Sequence, residues 1–127
     1  MGKSFRDLIV WQRSIDLTTE IYMLTAAFPR EELYGLTSQL RRAAVSVASN
    51  IAEGSGRAGR REFRQFLNTA RGSICEVQTQ LVIAGNLDFA DKARLQAAES
   101  AASEVARMLN GLLDSLARES ARQAVSN

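Results

Sequence analysis

Apolar residues recur at helical spacing in four stretches of this chain, and each stretch is bounded by a residue type that stops or starts a helix. The first is predicted from about Arg6 to Phe28 and ends before Pro29, whose ring cannot continue a helix interior. Its apolar positions form two lines, Leu8–Trp11–Ile15–Tyr22 and Val10–Leu17–Ile21–Leu24–Phe28. Together the lines cover roughly half of the helix circumference, more than the stripe a surface helix turns to one core. A second helix is predicted over about Leu36 to Glu53, with Leu36, Leu40, Ala43, Ala44, Val47 and Ile51 inward. The third runs from about Arg60 to Leu87, and Phe63, Leu67, Ala70, Ile74, Val77, Leu81 and Ala84 alternate spacings of four and three. The fourth follows Asp88 or Asp91 as its N-cap and repeats the pattern in Leu95, Ala98, Ala102, Val105, Leu109, Leu112 and Leu116. Four such seams with short links predict an all-α fold, an antiparallel four-helix bundle of up-down-up-down order. The bundle is expected to be one domain over residues 1–127, with residues 119–127 fraying because Val125 is the last anchor there.

Composition narrows the class. At 127 residues and 46% hydrophobic, the chain is long enough and apolar enough to bury a core, which excludes a disordered protein. One proline and many Ala, Leu, Arg and Glu agree with helices. No apolar run is long enough to span a bilayer, and no basic–apolar–small leader opens the sequence. The Met1-Gly2 start has Arg6 where a myristoylation motif needs Ser or Thr. The single cysteine, Cys75, has no internal partner for a disulfide, so the cytoplasm is the expected compartment.

Gly54-Ser55-Gly56-Arg57-Ala58-Gly59 satisfies G-x-G-x-x-G, the dinucleotide fingerprint. That fingerprint holds pyrophosphate only when a strand leads into it and a helix N-terminus follows. Here an Ala-rich helix leads in and no strand alternation occurs, so a nucleotide fold is excluded. Two readings of the loop remain. The glycines let the chain turn through positive φ between two helices, or the loop and the next helix start hold an anion beside Arg57, Arg60 and Arg61.

The net charge of +2 hides an uneven distribution. Residues 41–71 hold seven arginines against Glu53 and Glu62, while both flanks are slightly acidic. Arg60, Arg64 and Arg71 are spaced by four and seven, and are expected on one face of the third helix, opposite its core seam. Arginines so spaced suit phosphate contact. The same ridge also suits a solvated face or the acids of a neighbouring subunit. No aromatic is interleaved with it, so stacking of unpaired bases is not indicated.

Catalysis finds little support. Without histidine there is no imidazole base and no His-based metal site. The Glu and Glu-x-x-His pairs of di-metal bundles are missing, and no cofactor is expected. Cys75 lies beside a core seam and reads as a small packing residue. Arg42, Ser46, Ser49 and Glu53 share a face of the second helix; with Ala48 and Ala52 nearby they suit close helix approach and hydrogen bonds between subunits. Trp11, Tyr22 and Phe28 are large to leave in water, so the wide apolar surface of the first helix predicts a homo-oligomer interface.

One stretch is more specific. Tyr34 to Arg57, with Ser49-Asn50-Ile51-Ala52-Glu53-Gly54 within it, resembles the signature of the four-helix-bundle proteins encoded in 23S rRNA intervening sequences. Phe5-Arg6-Asp7-Leu8, Val10-Trp11-Gln12, Phe63, Phe66-Leu67, Ala70-Arg71-Gly72-Ser73 and Arg107-Met108-Leu109-Asn110-Gly111-Leu112 extend the likeness over most of residues 5–116. The resemblance implies the bundle fold, no established enzymatic activity and a ring-like homopentamer. It also implies a role beside RNA or DNA, as in the related accessory variability protein of diversity-generating retroelements. Asn50 and Glu53 match the motif and are read as polar contacts that fix the helix end and the assembly. Ala48 departs from it, standing where the pattern often has proline, so the second helix is expected to be straighter here. The expectation is a non-enzymatic oligomeric scaffold whose partners are itself and RNA or DNA. An adaptor for another protein is the alternative.

Overall fold

The computed structural model describes residues 4–57 and 59–126, so the Met1-Gly2 start, Ala58 of the glycine loop and Asn127 of the tail lie outside the described residues. Four helices make the fold: α1 (Ile9–Thr25), α2 (Leu36–Ser55), α3 (Arg60–Asn86) and α4 (Lys92–Ser126). No described residue belongs to a strand.

The expected helix from Arg6 to Phe28 is shorter at both ends. Phe5–Asp7 is a 3-10 turn closed by a capping box: Ser4 Oγ accepts from the Arg6 N–H at 3.2 Å, and the Asp7 carboxylate accepts from the Ser4 N–H at 3.2 Å. Leu8 is extended, and α1 begins after it. At the far end Pro29 disfavours helix in the residue before it, and a second 3-10 turn, Arg30–Glu32, leads toward α2.

The link from α3 to α4 is set by a helix stop and a cap. The Phe89 N–H donates to Ala84 O at 3.0 Å and the Asp88 N–H to Gly85 O at 3.1 Å, the pair of bonds that closes a Schellman turn. Such a turn needs its middle residue in the left-handed region, and Asp88 has φ 55°. Asp91 then caps α4, its carboxylate accepting from the Arg94 N–H at 3.0 Å. Of the two candidate caps, Asp91 is therefore the cap and Asp88 the turn. Because glycine meets no Cβ clash at positive φ, Asp88→Gly is expected to raise unfolding free energy by about 0.5–1 kcal/mol. Urea denaturation monitored by circular dichroism measures it.

Cross-helix pairs fix the direction of each helix. Thr18 Oγ1 reaches Ala44 O at 3.2 Å and Arg41 Nε reaches Thr25 Oγ1 at 2.8 Å, so α1 and α2 run antiparallel. Ser46 meets Ser73 at 2.9 Å and Gln39 meets Gln80 at 3.5 Å, so α2 and α3 do too. Arg60 lies near Glu119 while Gly85 faces Leu95, which sets α3 against α4. Arg13 pairs with Glu104 at 3.1 Å and Phe28 packs on Phe89, closing the square from α1 to α4. The order is up-down-up-down.

The core follows the predicted seams closely. Leu40, Ala43, Ala44, Val47 and Ile51 of α2 are buried, as are all of the α3 seam except Phe63, which is half-buried. In α4 the seam slips by one residue near its end: Leu113 is buried and Leu112 only partly so. The two lines of α1 separate cleanly. Val10, Leu17, Ile21, Leu24 and Phe28 enter the core, whereas Ile15 and Tyr22 stay exposed and Leu8 and Trp11 half-buried. The stretch expected to fray from Glu119 is helical as far as Ser126, and residues 121–125 are exposed.

The glycines in the loop do not turn the chain through positive φ; no described glycine has it. Gly54 lies inside α2, Gly56 is near-helical at φ −84° and Gly59 extended at φ −125°. Gly54 has a steric role instead. A Cβ there would stand 2.6 Å from Phe66 Cβ and 3.0 Å from Phe63 Cδ1, so its missing side chain lets α2 and α3 approach.

Candidate interaction surfaces

The exposed line of α1 faces the groove between α1 and α2. Phe5, Trp11, Ile15 and Thr18 form one wall, and Val45, Ala48, Ser49 and Ala52 the other, around a hollow of about 310 Å³. Small residues at Ala48 and Ala52 leave the floor open, while Trp11 is braced edge-on by Phe5 at 5.1 Å. Ile15 is 38% and Val45 40% exposed, so water covers apolar surface in the single chain. Further along the groove the Arg41 guanidinium stacks over Tyr22 at 4.6 Å, beside exposed Leu33 and Tyr34.

The residues expected at an oligomer interface divide between these surroundings. Trp11 and Ser49 line the hollow, and Tyr22 the groove beyond it. Phe28 is different: it is 7% exposed and packs against Phe89 at 5.6 Å, so the chain's own core takes it up. Ser46 and Asn50 turn toward α3. Asn50 Nδ2 donates to Ser46 O at 2.8 Å and Ser46 Oγ at 3.0 Å, and Ser46 shares a hydrogen bond with Ser73. The Ser46–Ser73 bond joins α2 to α3 within the chain, and the two Asn50 bonds stay within α2. Arg42 is exposed and lines a shallow groove with Glu76, while Glu53 is paired with Arg57.

Tertiary packing also divides the arginine ridge. Arg60 and Arg64 do not stand opposite the core seam; they reach α4, Arg60 to Glu119 at 3.7 Å and Arg64 Nη1 to Ser120 Oγ at 3.4 Å. At roughly 100° per residue, these positions lie only about a quarter-turn from the seam of α3, which sets them beside its neighbour. Arg57 covers the Phe66 ring at 5.1 Å. Arg61 and Arg71 are exposed and form no ion pair among the described residues. Arg71 lies about 16 Å along the helix from Arg60 and about 10 Å, two turns, from Arg64.

Sequence reading missed two members of this group. Arg118 and Arg122 of α4 are exposed and flank Glu119 and Ser120, the residues that Arg60 and Arg64 touch. They are nearly sixty residues away along the chain, and only the antiparallel pairing of α3 with α4 signals their proximity. Among the described residues no group of three His, Cys, Asp or Glu is placed to hold a metal ion. No helix among them is long and apolar enough to cross a membrane.

Residues 6–111 match the family model described as 23S rRNA-intervening sequence protein. A solved structure from Bacteroides thetaiotaomicron VPI-5482, described as a protein with unknown function from the S23 ribosomal protein family, superposes with a TM-score of 0.74. It is 18% identical, and the match covers 83% of this chain and 98% of that one, which shows a shared fold. No curated protein matches the chain.

Proposed function

We propose, from the premise that this chain belongs to the 23S rRNA-intervening sequence protein family, that it is a non-enzymatic, homo-oligomeric helical scaffold whose basic surface contacts nucleic acid. The observation that carries the assembly is the uncovered hollow between α1 and α2. It joins Trp11, Ile15 and Val45 to a floor of small residues, a surface that another copy can fill. In a closed ring each contact is heterologous, so the hollow meets a different face of the next subunit, with five copies favoured by resemblance. The arginines of the α2–α3 loop and of α3 then repeat around the assembly. Repetition raises avidity for phosphate without any new contact within one subunit. The half-neutralised state of Arg57 and Arg60, paired with Glu53 and Glu119, favours a second reading in which the scaffold receives an acidic protein surface.

Light scattering at micromolar concentration tests the assembly. Wild type is expected at a multiple of 13.9 kDa, near five. Val45→Glu introduces a charge on an exposed wall of the hollow and is expected to shift the mass toward 13.9 kDa while helicity is retained. A wild-type mass of 13.9 kDa overturns the oligomeric reading. Titration with labelled RNA and DNA tests the second half: absence of binding at low salt moves the scaffold to the protein-adaptor reading.

A further inference from the structure

We infer that the nucleic-acid surface is one end of the bundle, built jointly by the start of α3 and the last turns of α4, and that it grips the phosphates of a duplex. The inference rests on the nucleic-acid reading above and gives that reading a different set of residues. Arg57, Arg60, Arg61 and Arg64 come from the α2–α3 loop and the first turns of α3. The Arg60–Glu119 and Arg64–Ser120 contacts bring α4 to the same place, and Arg118 and Arg122, four apart and so on one face of α4, are its exposed arginines there. The hollow that joins Phe5 to Ala52 brings the 3-10 turn carrying Arg6 to this end as well.

Charge separates the two ends. This end holds seven arginines (Arg6, Arg57, Arg60, Arg61, Arg64, Arg118 and Arg122) against Asp7, Glu53, Glu62 and Glu119. The opposite end, where Phe28 meets Phe89, holds Arg30, Lys92 and Arg94 against Glu31, Glu32, Asp88 and Asp91. An anionic rod is therefore drawn to one end only.

Helix lengths shape the site. The α4 helix spans 35 residues and α3 spans 27, about 52 and 40 Å. Since α4 starts level with Gly85 and draws level with Arg60 near Glu119, its last two turns project about 10 Å beyond α3. The projecting turns carry Arg122 past the start of α3 and lengthen the basic end, so a duplex laid across it meets arginines over a longer stretch of backbone. Phe66 is half-buried and roofed by Arg57, so its ring offers unpaired bases no open platform. Glu119 pairs with Arg60 and competes with phosphate for its guanidinium, so it weakens binding in the wild type. Exposed pairs of this kind exchange readily for phosphate because each is weak in water.

The test is a fluorescence titration of twenty-base-pair RNA and DNA duplexes, and of a single strand of equal length, at two salt concentrations. Wild type is expected to bind both duplexes more tightly than the single strand. The double variant Arg118→Ala and Arg122→Ala is expected to bind duplex about tenfold more weakly and to lower the salt slope by about two, one for each arginine that no longer meets a phosphate. Glu119→Gln is expected to tighten binding several-fold, and Arg71→Ala to leave it unchanged. Circular dichroism and light scattering confirm that each variant keeps its helices and its mass. A double variant that binds as wild type does, with Arg71→Ala weakened, overturns the end site and leaves the nucleic-acid reading in place. Preference for the single strand overturns the duplex assignment. A wild type that binds no nucleic acid at low salt overturns both the inference and the reading beneath it.

Discussion

Gly54→Ala is expected to destabilise the protein by about 1–3 kcal/mol, although alanine is the better helix former by about 1 kcal/mol. The added Cβ would stand 2.6 Å from Phe66 Cβ, an atom tied to the backbone of α3, so relief requires the two helices to separate. Separation loosens the contact beneath Ile51, Leu67 and Ala70, all buried without measurable exposure. Gly72→Ala is the control. Gly72 is exposed on α3, and a methyl group there would meet nothing within 4 Å, so the propensity gain of up to about 1 kcal/mol stands alone. Thermal denaturation followed by circular dichroism is expected to lower the midpoint for Gly54→Ala and raise it for Gly72→Ala. A rise for both would mean that α2 and α3 yield freely at Gly54.

Leu109→Ala is expected to cost more, about 2–5 kcal/mol. Leu109 is fully buried on α4, and its removal leaves a cavity that four antiparallel helices cannot easily close. Leu112→Ala, one turn further on, is expected to cost much less because that side chain is only partly buried. Chemical denaturation of the two variants reads the register of α4 directly. Equal destabilisation, or a larger effect at Leu112, would place the seam where strict four-three spacing puts it.

That register also illustrates how far periodicity carries. Leu95 through Leu109 follow the predicted spacing, but the next buried leucine is Leu113. A straight helix has about 3.6 residues per turn, so a strict seven-residue pattern drifts relative to the core over several turns. Over 35 residues the drift is enough to exchange one leucine for its neighbour. On α1 the pattern offered two apolar lines without ranking them. Packing against α2 and α4 buries the Val10–Leu17–Ile21–Leu24–Phe28 line and leaves the other along a groove. The glycine loop shows a different limit. Glycine at positions 54, 56 and 59 suggested a turn through positive φ, yet Gly54 answers a steric demand from Phe66, a residue twelve positions away.

By itself the sequence determined the four helices, their links, most of the core and the family, because helix period, caps and prolines act over a few residues and leave a local trace. It also located Arg57, Arg60, Arg61 and Arg64 of the basic end, which lie close together along the chain. Tertiary structure alone decided what those arginines face. Arg60 and Arg64 meet Glu119 and Ser120 because α3 and α4 run antiparallel, and Arg71 is left apart because the helix carries it two turns beyond Arg64. It likewise decided that Phe28 closes the core while Trp11 borders a hollow. The physical reason is the same in each case: burial and charge proximity are sums over neighbours remote in the chain, and a residue's own period says which face it occupies but not what stands opposite.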